Sequence, residues 1–203
     1  MTAKENPSPE SADRSLPGAY PSERAGILIV DDHQENLVAF EALLSPLGHE
    51  IVVAHSGSEA LERAFRRTFA IILLDVRMPE MNGFETAAIL RKRESYRDTP
   101  IIFTSAYTVA VSDLLGGYVA GATDFVETPV DAELLKFKVA GFVKLHLKTE
   151  RVRKSAHEVA TAFDSLKIDV GKGIPSTSLL DRMSRLEQSL AKLETDLSSR
   201  TSR

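Results

Sequence analysis

Three aspartates stand at the ends of two apolar runs of the sequence. Asp31 and Asp32 follow the run 27–30, and Asp75 ends the run 70–74. Such runs are typical of buried parallel strands, and open α/β sheets hold their ligands at the carboxyl edge, so these side chains are expected to lie close together. Three carboxylates there repel one another unless a cation shares the site, and Mg²⁺ prefers carboxylate and water oxygens. The pattern predicts a magnesium site with Asp75 offered to a phosphoryl group.

Acids that follow strands also cap the next helix, which is the plainer interpretation of each aspartate taken alone. An acid pair after the first strand and a single acid after the third favours the metal site. The five histidines, His33, His49, His55, His146 and His157, form no metal-binding spacing. Two roles are open for His33, which adjoins the acid pair: a side chain that faces the site, or a surface-loop residue, which is favoured. Cysteine is absent, which excludes disulfides, thiol catalysis and thiolate metal sites.

The elements that position these aspartates alternate along the chain. Apolar runs predict five strands, at 27–30, 51–53, 71–74, 101–103 and 125–126. Amphipathic stretches predict five helices, at 34–47, 57–67, 84–94, 109–120 and 131–147. This alternation implies an α/β domain with a parallel sheet that is covered on both faces.

Composition sets the broad class. Residues 1–24 are rich in proline and polar side chains and are predicted to form a disordered leader. The net charge of −4 gives no general reason to expect nucleic-acid binding. The sequence shows neither a run long enough to span a bilayer nor a secretion signal, so no membrane association and a cytoplasmic location are expected.

The tail, residues 148–203, is predicted to be a helical coiled-coil extension with a break near 169–176. Apolar residues continue out of the fifth helix in steps of three and four, and the same spacing returns after the break. The first seam comprises Phe142, Leu145, Thr149, Val152, Ala156, Val159, Phe163 and Leu166, and the second Leu179, Met183, Leu186, Leu190, Leu193 and Leu197. A homodimer through these helices is expected, and packing of the helix on its own domain is the alternative. The sequence leaves open whether the helices extend or fold back, and whether a coiled coil would be parallel. A basic cluster at 144–154 is interpreted as a solvated face.

Further sequence segments around the aspartates resemble those of a known protein family. Residues 26–147 resemble the receiver domain of two-component response regulators, so the expected organisation is a single receiver over 25–147 followed by the helical extension. The resemblance implies a flavodoxin-like, doubly wound, five-stranded parallel sheet of order 2-1-3-4-5. The matching segments are 29–32 (Ile-Val-Asp-Asp), 74–83 (Leu-Asp-Val-Arg-Met-Pro-Glu-Met-Asn-Gly), 100–106 (Pro-Ile-Ile-Phe-Thr-Ser-Ala) and 121–126 (Gly-Ala-Thr-Asp-Phe-Val).

The resemblance also implies roles for single residues. Asp75 would accept a phosphoryl group from a sensor histidine kinase or phosphotransfer protein. Mg²⁺ would be bound by Asp75, directly by Asp32, through water by Asp31, and by the backbone carbonyl of Arg77. Ser105 would be the hydroxyl that bonds the phosphoryl group, in preference to its neighbour Thr104. Phe125 matches the family's switching aromatic, with plain core packing as the alternative.

One position departs from the family pattern. The fifth strand should be followed by Lys-Pro, and this chain has Thr128-Pro129 instead. A threonine hydroxyl offers one neutral hydrogen bond, whereas a lysine offers a charge-assisted one that is roughly twice as strong. We therefore expect slower phosphorylation or a changed output, with the metal site intact. The Thr128-Pro129 peptide is a candidate for the cis form that the family shows.

The resulting prediction is a phosphorylated signalling protein and not an enzyme. It would signal to an unidentified downstream protein by protein–protein interaction or dimerisation and not by binding DNA. The alternative is a pseudo-receiver, a scaffold that phosphate does not regulate, for which Thr128 is the best support. A phosphatase-like enzyme that uses the Mg²⁺ site is a weaker third interpretation, because no further acid–base residue accompanies the site.

Overall fold

The computed structural model describes residues 24–105, 123–127, 130–171 and 176–198. The strands are β1 (Gly26–Val30), β2 (Glu50–Ala54), β3 (Ile71–Asp75), β4 (Ile101–Ser105) and β5 (Asp124–Glu127). The helices are α1 (Gln34–Leu44), α2 (Gly57–Arg66), α3 (Gly83–Arg91), α4 (Ala132–Gly171) and α5 (Ser176–Ser198). The predicted helix over 109–120 and nearly all of the predicted leader lie outside the described residues.

The five strands form one parallel sheet in the order β2-β1-β3-β4-β5. This order and the flanking helices confirm the predicted flavodoxin-like fold. Val30 of β1 is in register with Leu74 of β3, so the residues that follow them leave the sheet side by side. The predicted magnesium-binding edge is therefore formed by two neighbouring central strands.

Alternate residues of the central strands pack into two separate apolar layers, as expected for a sheet covered on both faces. One layer joins Leu28, Ile72 and Phe103 to side chains of α2 and α3. The other joins strand residues to side chains of α1 and α4, namely Ile27, Ile29, Ile71, Leu73 and Ile102 with Leu37, Phe40, Leu44, Leu135, Val139 and Val143. Helix α4 is thus anchored in the core by its first turns.

Helix α4 is much longer than the helix predicted over 131–147. It starts after Asp131, whose carboxylate accepts the backbone N–H groups of Glu133 at 3.0 Å and Leu134 at 3.1 Å. The helix then runs without interruption for 40 residues, to Gly171. The receiver helix and the first tail helix are therefore one continuous element.

Helix α5 folds back against α4. This answers whether the two tail helices extend or fold back, which the sequence left open. The Ser155 hydroxyl donates to the Asp196 carboxylate at 2.6 Å, and the Lys192 ammonium donates to Glu158 at 2.8 Å. As the residue number rises from 155 to 158 on α4, its partner on α5 falls from 196 to 192. The tail is an antiparallel hairpin.

The hairpin contact differs in detail from the predicted seam. Ser155 is buried, whereas its neighbour Ala156, which the heptad pattern placed in the seam, is exposed. Val152 and Val159, both predicted seam residues, are half-buried. A polar residue is tolerated at this buried position because the Asp196 carboxylate accepts the hydrogen bond of the Ser155 hydroxyl. Hydrophobic spacing predicted the neighbouring Ala156 instead.

Candidate functional site

The carboxyl edge of β1 and β3 brings the predicted acidic residues together. Asp75 is the last residue of β3, and Asp31 and Asp32 follow β1 directly. Asp31 continues the strand alignment, since its backbone N–H donates to the Ala54 carbonyl at 3.2 Å. The three side chains therefore come from adjacent strands at one end of the sheet.

Asp31 is buried and held by two hydrogen bonds. Its Oδ1 accepts the backbone N–H of His33 at 2.9 Å, and its Oδ2 accepts the side-chain amide of Asn36 at 2.9 Å. A buried carboxylate needs such donors to remain an anion. Both oxygens of Asp31 thus already have a protein partner, while the Asp32 carboxylate is more exposed.

His33 lies in this cluster, although the sequence pointed to a surface-loop role. Its Nδ1 lies 3.0 Å from Asp32 Oδ1 and 3.5 Å from Asp31 Oδ1. The Asp32 carboxylate raises the pKa of His33 above its usual value. The ring remains largely exposed to solvent, yet one ligand atom from each of Asp31, Asp32 and His33 lies within 4.8 Å of the others. Its adjacency to the acid pair was the only signal for this contact in the sequence.

Asp75 is half-buried and carries poorly compensated charge. Burial, followed by repulsion from Asp31 and a smaller repulsion from Asp32, raises its pKa to about 6. The backbone N–H of Arg77 opposes this rise, because it donates to Asp75 Oδ2 at 3.0 Å. Arg77 therefore touches the site through its N–H, and the role of its carbonyl as a ligand stays a prediction.

The loop after Asp75 returns closely to the strand tip. The Gly83 N–H donates to the Val76 carbonyl at 3.0 Å, and a Cβ added at Gly83 would lie 2.3 Å from the Asp75 carbonyl oxygen. Only glycine fits such a close approach. A capping box formed by Asn82 and Glu85 then starts α3. Sequence reasoning quoted Gly83 as part of the motif but did not find this steric role.

Ser105 ends β4 next to Asp75. Asp75 is in register with Thr104, and the Thr104 carbonyl accepts the Val76 N–H at 3.0 Å. Ser105 is the next residue along and is buried. It thus lies at the same sheet edge as the three aspartates, and its role as the phosphoryl-bonding hydroxyl stays a prediction.

Phe125 belongs to a row of aromatic rings beside this edge. Its ring lies 5.3 Å from Phe103, and the Phe103 ring lies 4.8 Å from Phe84 in an edge-on arrangement. Phe125 is only partly buried, at the outer end of the row. This position suits either a packing or a switching role.

The family lysine position, Thr128, lies outside the described residues, as does Pro129. The two lysines nearest to it along α4 have partners elsewhere. Lys138 pairs with Asp124 at 2.5 Å, and Lys136 pairs with Glu133 at 3.0 Å. These lysines are therefore engaged in local ion pairs.

The donor set fits a hard divalent cation. The compact group of possible ligand atoms comprises Asp31, Asp32 and His33, and the Asp75 carboxylate lies at the same sheet edge. Carboxylate oxygens are the ligands that Mg²⁺ prefers. Burial first, and the Asp31 charge second, raise the pKa of Asp75, so the hydrogen bonds to this carboxylate do not balance its burial and the neighbouring charge. A bound cation would remove this imbalance.

Comparison with known proteins agrees with this geometry. The sequence model of the response regulator receiver domain matches residues 27–140, which is more than half of the chain. The chain belongs to this family. It is 30% identical over 135 residues to the signal transduction histidine-protein kinase BarA of Escherichia coli, and 34% identical over 130 residues to the response regulator PleD of Caulobacter vibrioides.

These relatives are much longer proteins. The match to BarA covers 63% of this chain and 14% of BarA, and the match to PleD covers 64% of this chain and 28% of PleD. The chain thus spans less than a third of either relative. What it shares with them is the receiver domain.

Solved structures show the same fold. The chemotaxis protein CheY4 of Vibrio cholerae is 32% identical, with a TM-score of 0.55, and the alignment covers 57% of this chain and 96% of that one. A putative response regulator from Chloroflexus aurantiacus is 26% identical, with a TM-score of 0.57, over 60% of this chain and 99% of that one. Among the described helices, none combines the length and apolar character needed to cross a bilayer.

Proposed function

We propose that this receiver accepts a phosphoryl group on Asp75 from a sensor histidine kinase or phosphotransfer protein, with Mg²⁺ bound at the same sheet edge. The observation that carries the proposal is the convergence of Asp31 and Asp75 from adjacent strands, with a raised pKa at Asp75. A carboxylate of this pKa is mostly ionised at neutral pH, and an ionised oxygen is a nucleophile.

In the proposed transfer, an Asp75 oxygen forms a bond to phosphorus as the phosphorus–nitrogen bond of phosphohistidine breaks. The electron pair of that bond goes to the imidazole nitrogen. The histidine side chain then leaves in its neutral form, with a proton taken from water where the ring needs one. A bound Mg²⁺ would supply positive charge to neutralise the charge that develops on the phosphoryl oxygens. Asp31 and Asp32 would hold it, and the buried Ser105 hydroxyl would bond the transferred group.

We propose that the output is dimerisation or docking of a partner through the tail hairpin. Met183, Leu190 and Leu197 recur every seven residues along α5, and each is between 42% and 48% exposed although α4 packs against the same helix. Such a row is typical of a helix face that a second helix pair covers. Since α4 is continuous from the receiver core into the hairpin, a shift at the receiver would move this face.

This proposal gives the chain no enzymatic activity beyond its own phosphorylation, no DNA-binding role and a cytoplasmic location. The net charge of −4 supports the absence of a DNA-binding role. The downstream protein remains unidentified.

A phosphotransfer assay tests the kinase and metal parts of the proposal. Histidine kinases autophosphorylated with labelled ATP would be mixed with the chain, with Mg²⁺ or with a chelator. Label should move to the wild type in Mg²⁺ and not to Asp75→Asn, while Asp98→Asn, at an exposed acid away from the site, should accept it normally. Label on both variants would contradict the assignment of Asp75.

The pseudo-receiver scaffold remains the second candidate, because Thr128 replaces the family lysine. In that case the hairpin would dimerise constitutively. Light scattering before and after phosphorylation distinguishes the two, since the scaffold predicts the same mass in both states.

A further inference from the structure

A basic cavity lies at the opposite end of the sheet from Asp75. It is bounded by the start of β1, the loop after α2 and the middle of α4, and its volume is about 720 Å³. Small-molecule sites in proteins typically measure roughly 300–1,000 Å³. We call this space the basal cavity. Its basic and histidine lining residues are Arg24, Arg67, His146, Arg153, Lys154 and His157.

The guanidinium of Arg67 is already fixed in the wall of the basal cavity. It donates to both carboxylate oxygens of Glu50, at 2.5 Å and 2.8 Å, and lies 5.2 Å from the centre of the Phe69 ring. A Cβ added at Gly26 would lie 2.9 Å from one of its nitrogens. Because this cation is held on several sides, a ligand that binds it has little side-chain entropy to remove.

Positive charge exceeds negative charge around the basal cavity. Four permanent cations line it, from Arg24 and Arg67 at the base of the sheet and from Arg153 and Lys154 on α4. Glu150 is the one carboxylate among the described lining residues, and it pairs with Arg153 at 3.0 Å. When Glu50, the partner of Arg67, is counted with Glu150, the four cations exceed the two carboxylates by two charges.

The excess charge comes from two elements that face one another. Cations on α4 and cations on the sheet base line the same cavity, and like charges repel one another. An anion placed between the two elements would turn this repulsion into attraction. Arginine forks are suited to such an anion, because their N–H groups match phosphate oxygens in pairs.

We propose that the basal cavity binds a small anion with at least two phosphate charges, such as the diphosphate group of an organic phosphate. The ligand bridges Arg24 and Arg67 of the receiver base to Arg153 and Lys154 of α4. Since α4 continues into the hairpin, occupancy of the basal cavity holds the hairpin against the receiver. The proposal stands apart from phosphorylation at Asp75, which lies at the other end of the sheet.

Titration calorimetry with sodium pyrophosphate in metal-free buffer tests this site on the full chain. The wild type should bind, and Arg153→Gln with Lys154→Gln should raise Kd at least about tenfold, the loss expected for charge-assisted contacts. Lys144→Gln with Lys148→Gln removes the same charge from the same helix outside the basal cavity and should leave Kd within about twofold.

Two further variants locate the anion. Arg24→Gln with Arg67→Gln alters the opposite wall and should weaken binding to a similar extent, whereas Asp75→Asn should leave it unchanged. Circular dichroism would confirm that each variant is folded. The proposal is overturned if the wild type shows no binding at millimolar pyrophosphate, if the control pair weakens binding as much as the cavity pairs, or if Asp75→Asn abolishes it.

Discussion

At the scale of single residues, Asp75 meets two opposing demands. As the proposed phosphoryl acceptor it must be ionised, yet burial and the neighbouring Asp31 and Asp32 carboxylates disfavour its charged form and raise its pKa to about 6. The folded protein without metal therefore holds an anion that it stabilises poorly. This is the state that a divalent cation would relieve.

Replacing this anion should stabilise the metal-free protein. The pKa of Asp75 is raised in the folded state, so stability is lost as pH rises from 3.8 to about 6, and the penalty is constant above that range. The shift corresponds to at most about 3 kcal/mol, and partial exposure of the carboxyl reduces this to about 1–2 kcal/mol. Asp75→Asn should raise the free energy of unfolding by that amount at about pH 7.5.

Urea unfolding measured with and without Mg²⁺ checks this prediction. The advantage of the variant should vanish below about pH 3, where the wild-type carboxyl is protonated in both the folded and the unfolded state. Added Mg²⁺ should stabilise the wild type and reduce the difference in unfolding free energy between it and Asp75→Asn. If Asp75→Asn raised the free energy of unfolding equally at both pH values, the effect would not arise from the charge of Asp75.

Thr128 sets the second expectation at this scale. Thr128→Lys should speed phosphorylation by a small-molecule phosphodonor roughly tenfold, the effect of one charge-assisted hydrogen bond of about 1.5 kcal/mol. Thr128→Met supplies a long side chain without charge and serves as the control. Equal rates for Lys and Met, measured by intact mass over time, would remove the role given to charge.

At the scale of elements, the strand tip and the loop after it are held together by a close backbone approach at Gly83. Gly83→Ala would place a methyl group 2.3 Å from the Asp75 carbonyl oxygen. Overpacking of this kind typically costs about 1–3 kcal/mol, and here it displaces the acceptor strand end. We expect lower stability and slower phosphorylation.

Gly141 offers a matched control for Gly83. It lies inside α4, and a Cβ added there meets no atom within 4 Å. Gly141→Ala should stabilise the protein by about 0.5–1 kcal/mol, because alanine favours the helix, and should leave phosphorylation unchanged. Loss of stability in both variants would argue against a specific role for Gly83.

Most of this element structure could be predicted from sequence. The strand predicted over 51–53 is Glu50–Ala54, and that predicted over 125–126 is Asp124–Glu127, because apolar runs between polar boundaries locate buried strands. The acidic edge followed from strand order. The Gly83 approach could not be predicted, and for His33 the sequence favoured a surface loop over a contact with the acid pair, since both depend on loop conformations that carry no periodic signal.

The tail shows a different limit of prediction from sequence. Its heptad spacing identified apolar faces correctly enough to find Val152 and Val159 near the contact, yet it could not choose between an extended helix and a hairpin. Both arrangements cover part of this apolar surface, and hydrophobic spacing alone does not distinguish between them. The buried Ser155 was missed because its partner, Asp196, is 41 residues away.

At the scale of the whole molecule, one continuous helix joins the receiver core to the hairpin. Val139 and Val143 of α4 are buried in the receiver, while Ser155 is buried against α5. We therefore expect α4 to carry a change at the acidic edge to the hairpin, which a two-state output requires. The exposed row Met183, Leu190 and Leu197 is the surface where that output would be read.

Charge on this row should prevent dimerisation. Met183→Lys with Leu190→Lys places two cations in the expected interface and should convert a dimer to a monomer, because burying unpaired charge is costly. Gln188→Lys, at an exposed polar position of the same helix, should leave the dimer intact. Light scattering that shows the wild type to be monomeric in both phosphorylation states would contradict the dimer proposal.

The most direct test of the central claim is intact mass after incubation with acetyl phosphate and Mg²⁺, followed by peptide mapping. The account predicts a gain of one phosphoryl group on the peptide that contains Asp75, lost in Asp75→Ala and when a chelator replaces Mg²⁺. An unmodified wild type, or the same gain in Asp75→Ala, would contradict the assignment of this carboxylate as the phosphoryl acceptor.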